Sequence, residues 1–81
     1  MQTLVFCNMI SEVKRLYLLL KRFGFSAAQL HSELPQIRRQ EQLQLFRHGT
    51  VNILIATDVA ARGIDIGSVR AVVNFQPPYH Y

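Results

Sequence analysis

An α/β fold built on a parallel sheet is what this chain predicts, and three observations carry the prediction. Short apolar runs alternate with amphipathic segments of helical spacing, and glycines and prolines mark the boundaries between them. The run Val51 to Ile55 is apolar except for Asn52, as expected of a strand buried on both faces of a parallel sheet. Read in order, the segments give β-α-β-α-β, a short turn and a final β. That order implies a parallel sheet with right-handed crossovers and helices packed on it.

Thr3 to Asn8 reads as the first strand. Ser11 is expected to cap the first helix, with Glu12 in its first turn favoured by the positive end of the helix dipole. Val13, Leu16, Tyr17, Leu20 and Phe23 follow at helical spacing as the inward face, and Gly24 stops the helix. Phe25 to His31 forms a second, more polar strand, placed nearer an edge. Pro35 opens the second helix, where its missing N–H costs nothing. Ile37, Leu43 and Phe46 are expected to form the inner face of that helix, which Gly49 ends. Val51 to Thr57 is the third strand and Ala71 to Phe75 the fourth. Four strands and two full helices leave parts of the sheet uncovered, so the chain is expected to be most of a domain and marginally stable by itself.

The 81 residues allow one small domain, and 49% hydrophobic against 17% charged residues suits a core-forming protein rather than a disordered one. No apolar run approaches the roughly 20 residues of a membrane span, and no signal-peptide pattern opens the chain. Leu16 to Leu20 is apolar but lies between Lys14, Arg15, Lys21 and Arg22, which marks it as a buried helix face. Cys7 is the single cysteine and sits in an apolar run, so it reads as an inert core thiol in a reducing, intracellular compartment. No Cys/His cluster has metal-ligand spacing. A net charge of +4 favours a polyanionic partner without proving one.

The densest chemistry follows the third strand. From Thr57 to Asp65 the chain offers a hydroxyl, two carboxylates, a guanidinium and a glycine, at the carboxyl end of a strand, where open α/β sheets bind ligands. The wording Ala56-Thr57-Asp58-Val59-Ala60-Ala61-Arg62-Gly63-Ile64-Asp65 closely resembles motif V of the DEAD-box RNA helicases. Leu4 to Asn8 resembles motif IV of that family, and His31 to Arg39 resembles its next element, whose core is Gln36 and Arg39. Val72 to Pro77 resembles the strand that follows. The resemblance covers residues 1–81, as part of the second, C-terminal RecA-like domain. It implies a three-layer RecA-like (Rossmann-like) α/β sheet with flanking helices, incomplete here. The Leu30-His31-Ser32 element and the motif V region are similar to family members active in ribosome biogenesis.

The resemblance also implies roles. Thr57 would offer a hydroxyl, and Gly63 a backbone N–H, to RNA phosphates, with Arg39 as a phosphate clamp that Gln36 orients. Ser32 and Asn8 stand at two further RNA-contact positions. Asp65 would hold the ATP ribose, while Asp58 and Arg62, four apart, would pair across one turn and order the loop facing the partner domain. Plainer readings stay open: Thr57 as a helix cap, Asp65 as a solvated turn residue and Arg39 as surface charge. Arg38, Lys14, Arg15, Lys21 and Arg22 read as surface charge, Tyr17 and Phe23 as core, and His31 as structural. His48 and His80 carry no signal.

Two positions depart from the family pattern. Met9 replaces a common hydroxyl residue after Asn8, and Ser32 replaces a common glycine. No segment resembles Gly-x-x-x-x-Gly-Lys-Thr, Asp-Glu-Ala-Asp or His-Arg-x-Gly-Arg, so the phosphate cradle, metal site and arginine fingers of phosphoryl transfer are not present. The expectation is therefore part of an ATP-dependent helicase, truncated before the last of these motifs and inactive alone. Its cofactor would be ATP, with Mg²⁺ held by the absent first domain. Its partners would be single-stranded or duplex RNA and that first RecA-like domain, and its place nuclear, nucleolar or cytoplasmic. The alternatives are a non-enzymatic RNA- or partner-binding module on the same fold and, against the lack of a glycine-rich loop after the first strand, a flavodoxin-like domain.

Overall fold

Leu54, Ile55 and Ala56 are wholly excluded from solvent, which only an interior strand covered on both faces allows. They belong to β3 (Ile53–Thr57) in a computed structural model that describes residues 1–64 and 69–76. The other elements are β1 (Gln2–Cys7), α1 (Ile10–Arg22), β2 (Ala27–Leu30), α2 (Gln36–Arg47), the single-turn α3 (Asp58–Ala61) and β4 (Val69–Phe75). All strand pairs are parallel and the sheet order is β2-β3-β1-β4. The predicted order of elements and the edge position of β2 both hold.

Strand alternation sends side chains to two cores. On one face Leu4, Ala28, Leu30, Leu54 and Ala56 pack with Phe46 of α2 and, less deeply, with Leu43 and the α3 residues Ala60 and Ala61. On the other face Val5, Cys7, Ala27 and Ile55 pack with Val13, Leu16, Tyr17 and Leu20 of α1. These two faces make the three-layer arrangement. At the β4 edge the cover runs out: Val72 is 58% exposed and Val73, its neighbour on the opposite face, 46%.

Several expectations are corrected. The N-cap of α1 is Met9 and Ser11 lies inside its first turn, because the Glu12 carboxylate reaches back to the Met9 and Asn8 N–H groups and does the capping itself. Asn8 lies past the end of β1. In α2 the N-cap is Pro35, whose carbonyl accepts from the Arg39 N–H. Ile37 is not inner but 71% exposed. At 100° per residue it lies half a turn away from Phe46, nine positions on, whereas Arg39 and Leu43 share the Phe46 side.

Phe23, expected in the core, is 70% exposed. The chain leaves α1 through a Schellman motif, in which the Phe25 N–H donates to the Leu20 carbonyl and the Gly24 N–H to that of Lys21, with Gly24 at φ 86°. The motif satisfies the backbone while leaving both Phe23 and Phe25 facing water.

Candidate functional site

Because every strand runs the same way, the carboxyl ends of β1, β2 and β3 meet along one edge of the sheet. Cys7 is in register with Thr57, and Leu30 with Ala56. Asn8 and Ser32 thus follow, and Thr57 ends, neighbouring strands spaced about 4.8 Å apart. Asn8 and Ser32 are exposed and Thr57 is half-buried. The Asn8 backbone N–H is already given to Glu12 Oε1 at 3.1 Å, so what Asn8 can offer a ligand is its side chain.

Thr57 is the N-cap of α3, with its Oγ1 accepting from the Ala60 N–H at 3.3 Å. The cap role expected of this hydroxyl is therefore met, for the turn Asp58–Ala61. Asp58 and Arg62 form an ion pair at 3.7 Å with both side chains largely in water, so it contributes little stability. Gly63 closes the turn at φ 79°, and among the described residues, its two chain neighbours aside, no atom lies within 4 Å of the place a Cβ would occupy. Glycine is favoured here by the backbone conformation, and among the described residues nothing beyond its chain neighbours crowds it.

Arg39 stands on the first turn of α2, half-buried, and donates to Gln36 Oε1. These two residues line a cleft of about 160 Å³ together with Leu30, Gln40 and Leu43 and with Ala60 and Ile64 of the α3 segment. The fold thus brings Gln36 and Arg39 beside the loop that begins at Thr57, though some twenty residues separate them in sequence. Asp65 lies outside the described residues.

Neighbouring groups escaped the sequence reading. Lys14, taken as surface charge, pairs with Glu33 at 2.6 Å just beyond β2, and the bond holds the exposed Glu33 carboxyl below its usual range. The buried His31 places Nε2 3.2 Å from Gln29 Oε1, and its Nδ1 has no partner among the described residues. Burial, reinforced by Lys14 and opposed by Glu33, lowers its pKa. Buried Cys7 is pushed up to about 11 by desolvation and then by Glu12, so its thiol is protonated at neutral pH. Only the Met9-x-x-Glu12 spacing could have signalled the cap, and methionine is not a capping residue. Among the described residues no cluster of His, Cys, Asp and Glu could hold a metal ion, and no helix is long and apolar enough to cross a membrane.

A four-stranded parallel sheet flanked by α1 and α2 matches the RecA-like C-terminal domain of DEAD-box structures. The chain belongs to the helicase conserved C-terminal domain family, whose model matches residues 1–81. Among curated relatives it is 49% identical, over 94% of its length, to the ATP-dependent rRNA helicase RRP3 of Gibberella zeae, of which it spans 16%. Among solved structures it superimposes on the DEAD-box protein SrmB of E. coli, bound to RraA, with a TM-score of 0.85 at 40% identity, covering 95% of this chain and 45% of that one. A variant of S. cerevisiae Dbp5 bound to RNA and ADP BeF3 gives the same TM-score at 36% identity, with 95% and 20% covered.

Proposed function

We propose that residues 1–81 are part of the second RecA-like domain of an ATP-dependent DEAD-box RNA helicase and supply its RNA-backbone and ATP-ribose contacts. The observation that carries this reading is the cleft shared by Arg39, Gln36 and the α3 segment, with Thr57 and the open Gly63 beside it. Hydroxyls, backbone N–H groups and a guanidinium at one edge suit a phosphate backbone gripped without base reading. Arg39, held by Gln36, and Ser32, Asn8, Thr57 and Gly63 take the RNA. Asp58 and Arg62 order the loop toward the first RecA-like domain. The relative solved with RNA and ADP BeF3 and the rRNA helicase similarity support an intracellular role in RNA processing, with ribosome biogenesis as the setting.

The nucleotide part rests on Asp65 and on family resemblance. ATP, with its Mg²⁺ held by the first domain, would supply the free energy of domain closure. This chain's share is a carboxylate accepting from ribose hydroxyls, and the 81 residues alone should not hydrolyse ATP. The test is fluorescence anisotropy with a labelled single-stranded oligouridylate. Arg39→Gln should weaken binding several-fold, while Arg38→Gln, whose guanidinium lies on the exposed side and pairs with Glu41 at 3.6 Å, should leave it unchanged. Equal effects would reduce Arg39 to general surface charge and remove the cleft from the reading.

A further inference from the structure

The edge opposite this site has its own chemistry. α1 and α2 run antiparallel to the strands, so their last turns reach the amino ends of the strands. The Gln2 side chain at the head of β1 donates to the Phe46 carbonyl near the end of α2. Lys21 and Arg22 end α1, Arg47 ends α2, and Arg70 sits at the head of β4 beside the break in register between Gln2 and Thr3. All four side chains are exposed. Lys21 lies over the Tyr17 ring at 5.6 Å, and no ion pair among the described residues involves any of the four.

The carboxylates of the described residues are elsewhere. Glu12, Glu33 and Asp58 stand at the carboxyl edge and Glu41 at mid-helix, paired with Arg38. Among the described residues none lies on the amino edge. On the same edge the Schellman turn leaves Phe23 70% and Phe25 53% exposed, two residues apart around Gly24. Two large apolar rings in water beside uncompensated cations is an arrangement the fold itself does not need.

From this charge segregation and these two rings we propose that the amino edge of the sheet is a second binding surface for single-stranded RNA, separate from the carboxyl-edge site. Single-strand binders combine cations that follow the backbone with aromatic faces on which bases stack. Three of the four cations are arginines, the side chain whose planar fork suits phosphate. β2 and β4 are three interstrand spacings apart, roughly 14 Å, a width suited to a short stretch of backbone. An acidic protein segment would meet the same charges but would not need exposed ring faces, and that difference decides the test.

The experiment is anisotropy of labelled oligouridylate against the full 81-residue chain over a salt series, with far-UV circular dichroism to show that each variant is folded. In a two-site fit, the triple variant Arg22→Gln/Arg47→Gln/Arg70→Gln should weaken one of two binding phases by about tenfold or more and lower that phase's slope of log K against log salt by about 2, leaving untouched the phase that Arg39→Gln weakens. Phe23→Leu and Phe25→Leu, which keep apolar bulk and charge but remove the ring, should each lose roughly fivefold or more. Absence of saturable binding overturns the proposal, as does a triple variant with unaltered affinity and slope. Ring variants that bind normally, with polyglutamate displacing the RNA efficiently, would assign the edge to acidic proteins and equally overturn it. Loss on Arg39→Gln reports on the carboxyl edge alone, so either site can fail without the other.

Discussion

The Glu12 carboxylate accepts from the Met9 N–H at 3.2 Å and from the Asn8 N–H at 3.1 Å, while its second oxygen is buried with no partner among the described residues. One side chain thereby ties the end of β1 to the start of α1, where the strand turns into the helix at the carboxyl edge. Glu12→Ala would orphan two backbone donors and should cost about 1–2 kcal/mol. Glu12→Gln keeps an acceptor for them and spares the fold a buried, half-satisfied charge, so its loss should be smaller. Urea midpoints of the two variants check the ranking, and a Gln variant as damaged as the Ala variant would mean that the charge at the helix dipole matters more than the hydrogen bonds.

Cys7 makes stability fall in alkali. Its thiol holds its proton up to about pH 11 in the fold, whereas in the unfolded chain it titrates near its ordinary value of 9.0. Above pH 9 the unfolded state loses a proton that the native state retains, so this contribution is complete below pH 9 and is lost as pH rises toward 11. The slope is at most about 1.4 kcal/mol per pH unit. Cys7→Ala should be less stable at neutral pH through lost packing but should show a shallower decline between pH 9 and 11. Parallel curves for the two proteins would contradict the assignment.

His31 works at the acid end with the opposite sign. Burial and then Lys14 disfavour the imidazolium, and Glu33 favours it. Its folded pKa therefore lies below 6.5, and the stabilisation present above pH 6.5 is lost as pH falls. His31→Gln, similar in size and uncharged, should flatten the acid limb relative to the unsubstituted chain, read as the difference in urea midpoint between pH 7 and pH 5. An unchanged limb would place the acid sensitivity in the carboxylates alone.

Much of this structure was legible in the sequence. β1 and β3 are interior strands, so burial on both faces leaves them nearly continuous apolar runs. Gly24 and Gly49 mark real helix ends, each at positive φ. The Thr57–Arg62 turn was readable because its cap and its ion pair are local in sequence. Phe23 and Ile37 misled because hydrophobicity does not say which way a side chain faces: a Schellman turn exposes the first and helical phase the second. The proximity of Arg39 to the α3 segment and the charge segregation between the two edges were not legible from composition, since both depend on which ends the parallel topology brings together.

Gly63→Ala separates conformation from space. At φ 79° any Cβ is strained, by about 1–2 kcal/mol, yet among the described residues nothing beyond the chain neighbours crowds the methyl group. The stability loss should therefore be about that size. If RNA lies against this backbone, the methyl group meets the ligand, and affinity for oligouridylate should fall more than the loop strain alone would produce, by tenfold or more. A variant destabilised by this amount but binding RNA normally would take Gly63 out of the contact surface.

Thr57 serves the fold as a cap and, in the proposed reading, the RNA as a hydroxyl, and a single substitution cannot separate the two. Thr57→Val removes both functions. Thr57→Ser keeps both. Thr57→Asp keeps the cap, as a good acceptor for the Ala60 N–H, while setting a negative charge where a phosphate would sit. If the cap is the whole role, the Asp variant should be as stable as the original chain and bind RNA no worse than loss of one surface unit of charge predicts, with a salt slope altered by less than about 1. If the hydroxyl faces a phosphate, the Asp variant should stay folded yet bind RNA more weakly than Thr57→Val, since repulsion replaces a missing bond. Urea midpoints and anisotropy on the same three proteins decide it: stability should rank Asp and Ser above Val, and affinity Ser above Val above Asp. An affinity order that simply follows stability would return Thr57 to a purely structural role.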